Sequence, residues 1–304
     1  MPLLKAQYIN HIGNKIGFGE DWLFLNQHDL MNFSWNVQTR GNRIVGVDRR
    51  GVKEHTLPLI IVAPTKEKAC ERANYLFSVC EADLQANEKG RLVVNGYNLK
   101  CFIRGQDYTE WSDLSKCLKI SARVIRDSIW YKTLDPITFN ENMFPQINVI
   151  EEVPLDGASP AGGSQSSEWT GGEKGYYHGY PYDYPSTTEK YVFENKEGVP
   201  LSWKAVIYGS ASSPLSFTIA GHVYSVNTSL GIGERLEITA KEALDEKTVI
   251  KYEADGDAIN CFANRNTESY LFETIPTGAN EIQNEDGLVW RLIPIVERSA
   301  PEWL

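Results

Sequence analysis

No stretch of this 304-residue chain approaches the roughly 20 consecutive apolar residues that cross a bilayer as a helix. The segment from Met1 to Lys15 also lacks the apolar core of a secretory signal, so a protein that stays where it is made, away from membranes, is the expectation. Cysteine is scarce and unpaired in pattern. The five (Cys70, Cys80, Cys101, Cys117, Cys261) are odd in number and no two stand at C-x-x-C spacing. Cys70 and Cys80 fall in one helical pattern, about 15 Å apart along its axis, too far to bridge. Free, mostly buried thiols in a reducing compartment follow. A basic excess is missing as well: the formal net charge of −10 argues against a protein that binds nucleic acid by displacing counterions.

Catalytic signatures are missing too. There is no G-x-S-x-G elbow, no H-E-x-x-H, no phosphate loop and no complete G-x-G-x-x-G. Gly231-Ile232-Gly233-Glu234 fails at the third glycine and reads as a turn before a strand at Arg235. His11, His28, His55, His178 and His222 never pair at i, i+2 or i, i+4, and read as structural or surface groups. Asp255-Gly256-Asp257 is too short for a calcium loop and suits a turn. A glycosidase would need two carboxylates across a cleft, and spacing alone identifies no such pair. The sequons Asn32-Phe33-Ser34 and Asn227-Thr228-Ser229 carry little weight without secretion. The expectation is a non-enzymatic chain with no cofactor and no metal site.

What is present is mostly strand. The length suits two domains, and 42% hydrophobic with 23% charged residues is an ordinary globular composition. Asp21–Leu25, Ser34–Arg40, Asn42–Asp48 and His55–Val62 are short β-branched or aromatic runs split by turn residues, with Pro58 marking its strand as an edge or bulge. From Thr65 to Asn87 the period changes. Ala69, Ala73, Leu76, Phe77, Cys80 and Leu84 form one helical stripe, with Thr65 as N-cap and Gly90 just past the end. Asn95-Gly96 between Arg91–Val94 and Tyr97–Arg104 signals a hairpin, and Leu114–Ile125 is a further strand. Beyond residue 187, strands recur at Ser202–Tyr208, Leu215–Ile219, His222–Val226, Arg235–Thr239, Thr248–Tyr252 and Leu288–Val296, the pattern of a β-sandwich or jelly roll.

Between the halves, Pro154 to Thr187 contains Gly, Ser and Pro in abundance, and Leu155 is its only large aliphatic, so it reads as loop. It also holds Trp169, Tyr176, Tyr177, Tyr180, Tyr182 and Tyr184, rings suited to a contact surface or to folding the loop back on its domain. Because Ile137–Val153 reads as strand of the second half, the boundary falls at about residue 134. The stretch is then a loop or arm at the second domain, positioned to contact a neighbour.

Ile207-Tyr208-Gly209 with Pro214, Gly221-His222-Val223-Tyr224, and Gly233-Glu234 leading into Leu236-Glu237-Ile238 follow one another in a telling order. So do Gly256, Asn260, Phe272, Ile275-Pro276-Thr277-Gly278-Ala279-Asn280 and the terminal Arg298-Ser299-Ala300-Pro301-Glu302-Trp303. This succession resembles the C-terminal domain of siphophage distal tail (Dit) proteins. Leu57-Pro58-Leu59, the single helix, Arg91–Val94 with Gly96-Tyr97, and Trp130-Tyr131-Lys132 resemble that family's N-terminal domain. Thr239-Ala240-Lys241 departs from it, since the family often has an acid after that strand.

The resemblance implies a mainly β protein with two domains. Residues 1–133 would be a ring-forming barrel- or sandwich-like domain with one helix over about 65–87, and 134–304 a galectin-like jelly-roll sandwich. It implies a structural hub at the tail tip of a phage or prophage virion, made in the bacterial host cytoplasm. The partners it implies are other copies in a six-fold ring, the tail tube protein, the tape-measure protein and a tail-associated or receptor-binding protein. DNA would be only passing cargo. A closed ring needs two unlike complementary surfaces on each copy. The Pro-free run Arg91–Arg104, through Val93, Tyr97, Leu99 and Phe102, is the candidate ring-interface strand, with an internal hairpin as the alternative. From another functional class, a carbohydrate-binding β-sandwich would use Trp169 and the tyrosines to stack on host-surface glycans.

Overall fold

The computed structural model describes residues 6–19, 22–26, 29–33, 36–48, 52–139, 189–241, 246–284 and 288–302. Strand alternation is plainest in the first half. Leu57, Leu59 and Ile61 of one strand and Leu118, Ile120, Ala122 and Val124 of its neighbour point inward, every second residue, because successive side chains of an extended chain face opposite sides. The first-half strands are β1 (Ala6–Ile9), β2 (Lys15–Phe18), β3 (Leu23–Leu25), β4 (Asn36–Arg40), β5 (Arg43–Asp48), β6 (Lys53–Val62), β7 (Gly90–Val94), β8 (Tyr97–Ser112), β9 (Cys117–Arg126) and β10 (Trp130–Thr133). Helix α1 (Lys66–Ala86) lies between β6 and β7. The turn joining β7 to β8 holds Asn95 and Gly96 at φ 51° and 83°, as the hairpin signal requires. Pro58 sits just past the stretch that β3 covers, where its carbonyl still accepts from the Asn26 amide and its missing N–H costs no ladder bond.

Helix α1 is framed as its sequence predicts. The Thr65 hydroxyl accepts from the Lys68 amide at 3.3 Å, and Asn87 closes the helix in the left-handed region at φ 55°. Its buried row differs from the apolar stripe. Ala69, Ala73, Leu76 and Cys80 face inward as expected, joined by Val79 and Asp83, whereas Phe77 and Leu84 are exposed. The reason is Asp83, which has no exposed surface. One of its carboxylate oxygens accepts from the Tyr8 hydroxyl; the other accepts from the His11 amide at 2.8 Å and lies 2.6 Å from His11 Nδ1. A buried carboxylate must be satisfied this way, and doing so turns the helix toward β1. Gly90 is forced by the same cluster, since a Cβ there would collide with the Asp83 carboxylate and the Tyr8 phenol. Burial first, then the neighbouring charges including Asp83, raises the Tyr8 pKa well above its ordinary value.

The second half adds β11 (Ile137–Phe139), β12 (Glu189–Asn195), β13 (Ser202–Tyr208), β14 (Leu215–Ile219), β15 (His222–Val226), β16 (Arg235–Lys241), β17 (Glu246–Tyr252), β18 (Ala258–Asn260), β19 (Gly278–Asn284) and β20 (Val289–Arg298). The sheet β12-β19-β14-β15 faces β18-β17-β16-β13-β20 across a core rich in aromatic rings. Phe217 stacks on Trp290 at 4.3 Å and on Tyr224 at 5.1 Å, and Trp203 meets both Phe217 and Tyr224 edge-on. The result is a β-sandwich. All five cysteines are free; Cys80, Cys101, Cys117 and Cys261 are buried and Cys70 is partly so. Burial pushes the thiols of Cys80 and Cys101 up to about 12.

Two hydrophobic cores are separate, one gathering residues from Ala6 to Trp130, the other from Phe139 to Val296. The backbone nonetheless runs through both, because the path β13-β20-β10-β8-β7-β1-β2 is one continuous sheet. Trp130–Thr133 pair with Arg298–Ile295 of β20, and Tyr131 pairs with Asn98 of β8. Side chains reinforce the seam. Glu246 reaches Lys100 of β8 at 2.7 Å and Lys241 of β16 at 3.0 Å, and the Lys241 ammonium lies 5.0 Å from the centre of the Tyr131 ring. Arg298 holds Glu197 at 2.9 Å and Glu302 at 3.0 Å, while the Asn95 amide donates to the Glu302 carbonyl. The terminal Arg-Ser-x-Pro motif therefore sits on the seam.

Asp83→Ala should cost about 3 kcal/mol, since it strands the Tyr8 hydroxyl and the His11 amide; chemical denaturation checks this, with Tyr8→Phe expected to cost about 1 kcal/mol. Glu246 gives a pH test. Its burial acts to raise its pKa, but Lys241 and Lys100 together hold it below the ordinary carboxylate value. A lowered folded-state pKa adds stability above the unfolded value and loses it as pH falls through the folded one. Wild type should exceed Glu246→Gln in Tm at neutral pH, with the two melting curves converging below about pH 4.

Candidate assembly surface

Strands β4 and β5 form a two-stranded sheet of their own. Thr39 pairs with Ile44, Arg40 with Arg43 and Val37 with Val47, with a register shift after Gln38. Cross-strand partners share a face, so Val37, Thr39 and Ile44 lie on one side, and Gln38, Arg40 and Arg43 on the other. The apolar side is uncovered: Val37 is 50% exposed and Ile44 68%, and Val45 at the register shift is 61% exposed. Phe33 and Val52, on either side of the hairpin, are also exposed. A lone hairpin is marginal in water, and one with a bare apolar face is a contact element.

The strand run singled out for a ring interface lies elsewhere and is not an edge. β7 is flanked by β1 and β8, and β8 by β7, β9 and β10. Tyr97 and Leu99 are buried in the first core, while Val93 and Phe102 are half-buried. Burial, foremost, raises the Tyr97 phenol to about 12. The expectation of an unpaired edge over Arg91–Arg104 is therefore corrected to the internal hairpin: the run's length and alternation serve the chain's own core. The four side chains fall on both faces of one ladder and do not gather into a patch.

Trp169, Tyr176, Tyr177, Tyr180, Tyr182 and Tyr184 lie outside the described residues. The strands on either side are described, however. β11 ends at Phe139, stacked on Trp290 at 4.4 Å in the long sheet, and β12 opens the facing sheet against β19. Among the described residues of the second half, Tyr270 is the one largely exposed aromatic, and its hydroxyl is taken by the Lys247 ammonium at 2.8 Å.

Other groups weighed for chemistry resolve into structure. Glu253, Asp255 and Asp257 cluster within 4.8 Å, and their backbone bonds close the turn between β17 and β18, as expected. His55 is buried and accepts from Arg126 Nε at 2.9 Å, so burial and then the Arg126 charge lower its pKa. His222 rests on the Tyr270 carbonyl at 2.8 Å and against the Tyr224 ring. Glu234, whose pKa is lowered chiefly by the Gly231 amide, pins the Gly231–Gly233 turn and pairs with Lys251 at 2.7 Å. The surface that sequence reading missed is the hairpin. Its signal was present in Val37, Ile44 and Val45 beside Arg40 and Arg43, with the alternation broken by the register shift.

No family model matches the sequence, and no curated protein does. Solved structures do match in shape. A chain of the phage P2 baseplate in its activated conformation with Ca superposes at a TM-score of 0.55 and 11% identity, covering 98% of this chain and 100% of that one. The same baseplate with Sr gives 0.56 and 11%, with the same coverage. The SPP1 Dit protein, described as a hub of the adsorption apparatus in phages that infect Gram-positive bacteria, gives 0.54 and 7%, covering 97% of this chain and 99% of that one. Over nearly its whole length the chain has the fold of a phage P2 baseplate component and of the SPP1 Dit hub protein.

Proposed function

We propose that this protein is a non-enzymatic structural hub at the distal end of a long non-contractile phage tail. The observation that carries this reading is the match to baseplate and hub structures over 97–98% of the chain. On this reading six copies form a ring through their first halves, and their second halves face outward. The ring joins the tail tube and tape-measure proteins above to a tail-associated or receptor-binding protein below, and DNA passes through it. An acidic chain suits that passage, because a lumen rich in cations would retain phosphates. The exposed hairpin is consistent with assembly, since its apolar side needs a cover that the described parts of the monomer do not supply.

Purified protein should show ring-shaped assemblies by negative-stain microscopy and a six-copy mass by sedimentation. A chain that stays monomeric at every workable concentration, alone and with its tail-tube partner, would overturn the reading.

A further inference from the structure

We infer that hairpin β4–β5 of one copy lays its apolar side across the outer face of helix α1 of a neighbouring copy. The inference rests on the ring reading and names the contact that builds it. Two unpartnered surfaces occur on the same chain. One is the hairpin, with Val37, Ile44 and Val45 exposed. The other is the side of α1 turned away from the core by Asp83, where Phe77 and Leu84, seven residues and two turns apart, are 41% and 43% exposed.

Charge selects the pairing. Arg40 and Arg43 face each other across the hairpin, an arrangement of like charges that weakens a ladder unless a counter-charge is supplied. Among the described residues no ion pair reaches either one. The outer face of α1 offers Glu81 between Phe77 and Leu84, and Glu88 lies just beyond the helix end, both exposed. Arg40 and Arg43 start from the side opposite Val37 and Ile44, and their long side chains reach such carboxylates past the end of the hairpin while the apolar side lies on Phe77 and Leu84. In a chain that is acidic overall, this basic tip finds its complement on another copy.

The geometry of the two surfaces also fits closure. Hairpin and helix are different patches, so their contact is heterologous and passes head to tail from copy to copy. It ends only when the rotation completes a circle. An isologous pairing of hairpin on hairpin would stop at two copies and would bring four arginines together.

Cross-linking tests the contact directly. In a Cys70→Ser background, the Ile44→Cys and Phe77→Cys variants are mixed and gently oxidised. A linked dimer should form in the mixture and neither variant should link alone; the double variant should yield a ladder of linked copies. Links in Ile44→Cys alone would mean hairpin on hairpin and overturn the assignment. As an independent measure, Ile44→Asp and Phe77→Asp, both at exposed positions, should each convert assemblies to monomers in sedimentation without shifting the monomer's melting temperature. Rings that survive both changes, with no mixed link, overturn the inference and leave the hub reading standing. If Ile44→Asp keeps the ring but loses a tail-tube partner, the hairpin's occupant is that protein and the inference falls. Absence of both rings and links in every form overturns the two together.

Discussion

Strand β20 is the constraint on which both halves depend. One of its edges is filled by all seven residues of β13, and the other is shared by β10 at one end and β11 at the other. A strand bonded along most of both edges has few backbone groups left to trade with water. The chain therefore cannot lose β10 from β20 without uncovering a ladder in the middle of a sheet. Because β10 also touches β8, the two cores share a backbone although their side chains do not mix. The ion pairs of Glu246 and Arg298 then fix the angle of a joint whose existence the strands already guarantee.

Buried polar groups decide which surfaces the protein keeps for others. Asp83 occupies a core position on α1, and satisfying it rotates two large apolar side chains into solvent. β19 works on the same principle. Its inward positions are Asn280, Ile282 and Asn284; the two asparagine amides bond to the carbonyls of Pro276, Gly278 and Leu288. Such networks tie a loop to a strand more specifically than methyl groups would, because each donor accepts only certain geometries.

This is also where sequence legibility ended. Ser202–Tyr208, Leu215–Ile219 and His222–Val226 were readable to the residue, since apolar content and turn glycines mark them without ambiguity. The helix caps and the Asn95-Gly96 turn were equally plain. β19 was not readable, because two of its three buried residues are asparagine and look like loop. β12 escaped as well, lying directly after a Gly- and Tyr-rich stretch. Phe77 and Leu84 were assigned inward because periodicity counts a carboxylate as outward, and only tertiary partners such as Tyr8 reverse that. Of the surface, the exposed hairpin left a trace in sequence, but apolar residues in a strand announce burial without saying whose atoms provide it.

The unpaired thiols have a consequence for durability. Oxidation of a thiol starts from its anion, and at neutral pH a group that ionises only near pH 12 supplies almost none. Cys80 and Cys101 therefore stay off the ladder from sulfenic acid to sulfonate even in aerated medium, as long as the first core stays closed. These two thiols can then spend long periods in air without oxidising. The packing that makes the fold is also its antioxidant.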